Sequence, residues 1–152
     1  MRGLTFRVCG SPVPQGSMRG FVVNGRAVLT SSSKNLKEWR NLIAAQANHV
    51  MADSGKVFFT SKEPVEVTAK FSFVRPKSHL KSSGELTKSA PRYKYSKPDS
   101  DKLARSVLDA LTGVLYEDDS QVVRLLVTKG YADPGIGPGV EISVERYEGT
   151  RE

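Results

Sequence analysis

Two acidic strings carry most of the chemistry open to this chain: Asp99-Ser100-Asp101 and Glu117-Asp118-Asp119. In an extended turn, residues two apart point the same way, so Asp99 and Asp101 can ligate one Mg²⁺ through carboxylate oxygen. The same residues can instead cap the start of a helix, and Asp118-Asp119-Ser120 can be a simple turn. Other metal chemistries are excluded by inventory. Cys9 is the one cysteine, which removes intrachain disulfides and thiolate zinc sites, and His49 and His79 are too few for a histidine-rich centre. Any metal must therefore sit on carboxylates. A helix from Asp101 to about Leu115 would be roughly 20 Å long and would hold the two acidic strings apart. They can meet if the helix stops at Gly113 and residues 114–117 return along it, bringing Asp119 into a strand beside the Asp99 turn.

The charge distribution adds a second partner to the metal. The chain carries 23 Lys and Arg against 16 Asp and Glu, a net charge of +7. Residues 1–74 contribute +6, residues 75–97 another +6, and residues 98–152 contribute −5. Cations beside a carboxylate cluster suit an enzyme that acts on a polyanion, the first holding phosphates and the second a divalent ion. Segment 75–97 has no apolar period, as expected of a basic flexible loop inside a single domain spanning 1–152. Arg75, Lys77, Lys81, Lys88, Arg92, Lys94 and Lys97 are its candidate phosphate contacts, with Tyr93 and Tyr95 placed to pack on sugars or bases. A solvated linker is the alternative.

The elements that must position these groups follow from periodicity. Leu4, Phe6 and Val8 alternate as a half-buried strand, and the runs 21–23 and 27–29 flank Asn24-Gly25 as a hairpin with a type I′ turn. Leu36, Trp39, Ile43, Ala47 and Val50 recur at helical spacing from Ser33 to near Gly55. Val65, Val67, Ala69, Phe71 and Phe73 form the cleanest strand. A second helix starts at Asp101 with Leu103, Val107, Ala110, Leu111 and Val114 on its apolar face. Strands at Val123, Leu125, Val127 and at Val140, Ile142, Val144 close the chain. The order β, ββ, α, β, α, β, β predicts an α+β domain with a mixed sheet and two helices. No apolar run approaches the roughly 20 residues of a membrane span, and no secretory signal is visible, so a cytoplasmic site is expected.

The run from Lys97 to Gly113, KPDSDKLARSVLDALTG, followed by Asp118-Asp119-Ser120-Gln121-Val122-Val123, resembles the core of the RusA family of Holliday junction resolvases. That family's pattern is D-x-D-N, a basic residue, D-A-L, then D-D-x-Q-V. The Pro12-Val13-Pro14 loop fits its phage-encoded members more loosely. The resemblance implies a homodimer that cuts four-way DNA junctions with Mg²⁺, or Mn²⁺ as a substitute, in recombination, repair or replication. It implies a bacterial cell or a phage-infected host as the setting. The family's paired metal-binding aspartates fall on Asp99 and Asp101, and its later catalytic aspartate on Asp119, with Asp118 beside it as a further metal ligand. Two positions depart from the pattern. Lys102 stands where the family has Asn, and is expected to contact phosphate or offset the acidic cluster. Arg105 stands in place of a functional lysine; it keeps the charge but does not readily give up a proton. Asp109, on the same helical face, is expected to orient Arg105 from behind. A protein that binds branched DNA without cleaving it, and a nuclease for flaps or forks, are the competing readings.

Overall fold

The computed structural model describes residues 3–16, 19–23, 26–30, 33–55 and 58–149. Strand β1 (Gly3–Cys9) is followed by the hairpin β2 (Arg19–Val23) and β3 (Arg26–Thr30), whose register pairs Val23 with Arg26. The turn expected at Asn24-Gly25 lies outside the described residues. Helix α1 (Ser33–Asp53) and strand β4 (Val65–Phe73) come next, then α2 (Ser100–Leu111), β5 (Val122–Tyr131) and β6 (Gly139–Arg146). Four strands form one mixed sheet in the order β1-β6-β4-β5, with β4 and β5 parallel and the other pairs antiparallel. The α+β class, the mixed sheet and the two helices match the expectation, with β2 and β3 set apart as a sheet of their own.

One face of the main sheet is buried, and the sequence alternation explains which. Phe6 pairs with Ile142, Ile142 with Ala69, and Val67 with Val144, so the apolar residues of three strands share a side. Against it pack Trp39, Ile43 and Ala47 from α1 and Leu103, Val107 and Leu111 from α2, all nearly solvent-free. Side chains of this kind each contribute roughly 1.5–3 kcal/mol on burial. Glu66, Thr68 and Lys70 take the opposite parity of β4.

Two expectations need correction. Helix α2 ends at Leu111 rather than near Leu115: Gly113 has φ +80° and its N–H donates to the Tyr116 carbonyl, which turns the chain back. Leu115 and Tyr116 are then fully buried, the Tyr116 hydroxyl donating to Leu108 O at 2.9 Å. Most apolar residues of β5 are also outside the core, Val122 and Val127 alone packing against it half-buried. Val123, Leu125 and Leu126 are 56%, 40% and 42% exposed, because β5 is an edge strand that the helices do not fully cover.

Candidate active site

Helix α2 supplies one wall of the site. Asp99 occupies its N-cap with φ −70° and ψ 142°, yet its carboxylate accepts no bond from the helix amides. Of the two readings of Asp99, capping is thus not the one its side chain follows. The nearby charge is Lys102, with Nζ 3.9 Å from Asp99 Oδ2. The turn leading into Asp99 is fixed by Lys129 of β5, whose Nζ donates to the carbonyls of Ser96 and Pro98, both at 2.8 Å. No sequence signal marks Lys129 for that duty.

Asp101, Arg105 and Asp109 follow one another at four-residue spacing, the α2 stripe left outside the core. Arg105 Nε donates to Asp109 Oδ1 at 3.1 Å, and Nη2 lies 3.0 Å from the same oxygen. Arg105 Nη2 also donates to Asp119 Oδ2, while Arg40 stands 3.8 Å from the other Asp109 oxygen. Burial alone would lower the Arg105 pKa, but the hydrogen bond to Asp119 and the charges of Asp109 and Asp119 prevail and hold it above its ordinary value. This guanidinium is a fixed charge.

Asp119 reaches Arg105 because the chain doubles back after Gly113, so the second acidic string is tied to the middle of α2 rather than left beyond its C-terminal end. Asp119 sits in a 3₁₀ turn, Asp119–Gln121, ahead of β5 rather than in the strand itself. The buried Gln121 anchors that turn: its Oε1 accepts from the Glu117 and Asp118 amides, both at 2.9 Å, and its Nε2 donates to the carbonyls of Thr60 and Glu63. Gln121 belongs to the motif, but its role emerges only with the 59–63 loop in place. Asp118 accepts from the Ser120 amide at 3.0 Å, and that bond holds its carboxyl below the usual range. Glu117 accepts from the Ser61 amide at 3.0 Å. Both carboxylates shape the turn.

A cleft of about 360 Å³ opens beside these groups, lined by Gln15, Asp101, Lys102, Ala104, Arg105, Leu108 and Leu125. Gln15 comes from the Pro12-Val13-Pro14 loop, pinned by its N–H donating to Lys102 O at 3.0 Å, and its carboxamide oxygen is buried with no partner. Carboxylates at Asp99 and Asp101 plus this unpartnered amide oxygen are hard oxygen donors that fit Mg²⁺ or Mn²⁺. Among the described residues no three His, Cys, Asp or Glu side chains gather closely enough to hold an ion by themselves, since Asp119 is turned to Arg105.

Segment 75–97 folds back on the end of the sheet. Arg75 lies 4.5 Å from the Tyr131 ring centre and donates to Pro91 O at 2.8 Å, and the Lys94 amide donates to Lys129 O at 3.0 Å. Lys94 Nζ is 5.2 Å from the Phe73 ring and bonds Ser96 Oγ at 3.1 Å, so its charge is partly engaged within the fold. Lys77, Lys81, Lys88, Arg92 and Lys97 are exposed, as are Tyr93 and Tyr95.

The family model described as endodeoxyribonuclease RusA matches residues 10–145. The chain is also 33% identical over 145 residues to the uncharacterized protein YqaN of Bacillus subtilis (strain 168), a similarity spanning 93% of this chain and 94% of that one.

Proposed function

The chain belongs to the RusA endodeoxyribonuclease family, and from that premise we propose that it is a divalent-metal-dependent endonuclease resolving four-way DNA junctions as a homodimer. The observation that supports this most directly is Arg105, held between Asp109 and Asp119 in the cleft that Asp101 lines. Asp99, Asp101 and Asp119 are the carboxylates that would hold Mg²⁺. The chemistry such an ion would supply is charge neutralisation at the phosphate and a more acidic water. Arg105 adds a positive charge at the scissile phosphate, and Asp109 keeps the guanidinium aimed. Lys102 flanks the cleft as a backbone contact, and exposed Lys77, Lys81, Lys88, Arg92 and Lys97 extend the basic track, with Lys94 at its edge. Each subunit of a two-fold pair would cut one of two opposed strands.

A second reading, a branched-DNA binder without turnover, draws on the engagement of Asp119 by Arg105. One experiment separates the two: cleavage of a synthetic four-way junction across a Mg²⁺ titration, wild type beside Asp101→Asn. Paired cuts by the wild type, with the variant binding but not cutting, are expected. Wild-type binding without cleavage at any Mg²⁺ or Mn²⁺ concentration would establish the second reading.

A further inference from the structure

A second cavity, of about 520 Å³, lies between residues 74–86 and the 131–138 connection, outside the cleft around Asp101. Its walls include Val74, Arg75, Leu80, Leu86 and Tyr131, with Asp133 as its acidic lining residue. Val74 and Leu86 are 67% and 51% exposed, and Ile136 on the neighbouring turn is 61% exposed. Large aliphatic side chains left in water at one place mark a surface that receives something. Nothing in the core needs them there: Leu80 and Leu86 pair through an isolated bridge, and Lys81 and Gly84 close the hairpin between them.

The surroundings favour one kind of occupant. Lys77, Lys81 and Lys88 are exposed in the same segment, whose seven cations face one acid, Glu85. Arg75 lines the cavity while its guanidinium rests on Tyr131, which itself meets His79 edge to face at 5.1 Å. A planar cation braced by a ring, apolar walls and exposed lysines in the same segment are the features with which unstacked bases are received. We propose that this cavity takes a nucleobase unstacked at the branch of the DNA, with the lysines on the adjoining phosphates. The inference rests on the proposed action on branched DNA and adds to it a site for the exposed base. An apolar protein segment would match the aliphatic walls but leave the lysines of the segment without a counterpart.

The test uses the full chain carrying Asp101→Asn, so that DNA stays intact, and four-way junctions with 2-aminopurine at the exchange point or, as a control, inside an arm. Saturating protein should raise the exchange-point fluorescence several-fold and leave the arm signal unchanged. Leu86→Ser and, at another lining position, Val74→Ser should remove most of that rise and cut the preference for junction over duplex roughly tenfold. Duplex affinity and its salt dependence should be unchanged, and circular dichroism confirms that each variant folds. No rise with the Asp101→Asn chain at saturation, or a rise that survives both further substitutions, overturns the nucleobase site while leaving junction binding intact. A change of solution mass in the variants with unaltered fluorescence would assign the cavity to a protein partner and overturn it too. Failure of the wild type to prefer junctions at all would sink the functional reading, a distinct outcome.

Discussion

At the scale of single residues, the decisive group is Arg105. Its five donors are already committed in part, to Asp109 through Nε and Nη2 and to Asp119 through Nη2, and its pKa is held above the ordinary value. A proton donor needs the opposite perturbation, so the role open to this side chain is that of a fixed charge. Arg105→Lys should therefore keep activity within several-fold, whereas Arg105→Ala should lose roughly 100-fold or more in single-turnover cleavage, the scale of removing one charge contact to the transition state. A marked gain with Arg105→Lys, together with a new basic limb in the pH–rate profile, would show that proton donation is what arginine lacks. Asp109→Asn should resemble a mild form of Arg105→Ala, because it releases the guanidinium without removing it. The motif singled out Asp99, Asp101, Arg105 and Asp119, of which the structure joins Arg105 to Asp119. It did not show that Asp118 and Glu117 spend their carboxylates on the Ser120 and Ser61 amides, since those bonds depend on where the turn and a distant loop come to lie.

At the scale of elements, the strands and helices were readable wherever one face is buried and the period is unbroken. Strand β4 and helix α1 run as their alternation and spacing indicate, with Trp39, Ile43 and Ala47 in the core. The end of α2 was not, because Val114 and Leu115 continue an apolar helical pattern while Gly113 reverses the chain, and burial of Leu115 is satisfied equally well by the turn. What fixes that turn is polar and long-range. Gln121→Ala withdraws the acceptor of two amides and the donor to the Thr60 and Glu63 carbonyls, and should cost about 3 kcal/mol in urea unfolding, with a parallel fall in cleavage as Asp119 loses its place. Tyr116 allows a pH test of the same turn. Burial pushes its hydroxyl well above the ordinary value of 10.0, with Thr112 opposing. A raised folded pKa contributes stability that is complete below the unfolded value and lost as pH rises toward the folded one. Stability should thus fall above about pH 10, and Tyr116→Phe should remove this group's share of that slope while costing about 1 kcal/mol at neutral pH. Equal alkaline slopes in the two proteins would refute it.

At the scale of the whole molecule, the main sheet ends in two edge strands, β1 and β5, and it is β5 that borders the Asp101 cleft. The last residues of β5 are covered by segment 75–97, where Tyr93 bridges to Gly130 and the Lys94 amide bonds Lys129 O, but Val122 to Thr128 have no outer strand among the described residues. An open edge carrying Val123 on one face and Leu126 on the other is a template for a further strand. A second copy pairing antiparallel about Leu125 and Leu126 would set Arg124 opposite Val127, so no like charges meet, and Leu125 would bring the partner to the rim of the Asp101 cleft. Homodimerisation through β5 predicts that wild type sediments at twice the chain mass and that Val123→Lys with Leu126→Lys sediments at the single-chain mass. Neither position lines the cleft, so the separated chains should keep their metal site and their affinity for single phosphates. What they should lose is coordination. The wild type should release linear products by two cuts within one binding event, whereas the double variant should accumulate junctions nicked on one strand. A double variant that remains dimeric, or a monomer that still makes paired cuts, would place the two-fold contact on another surface.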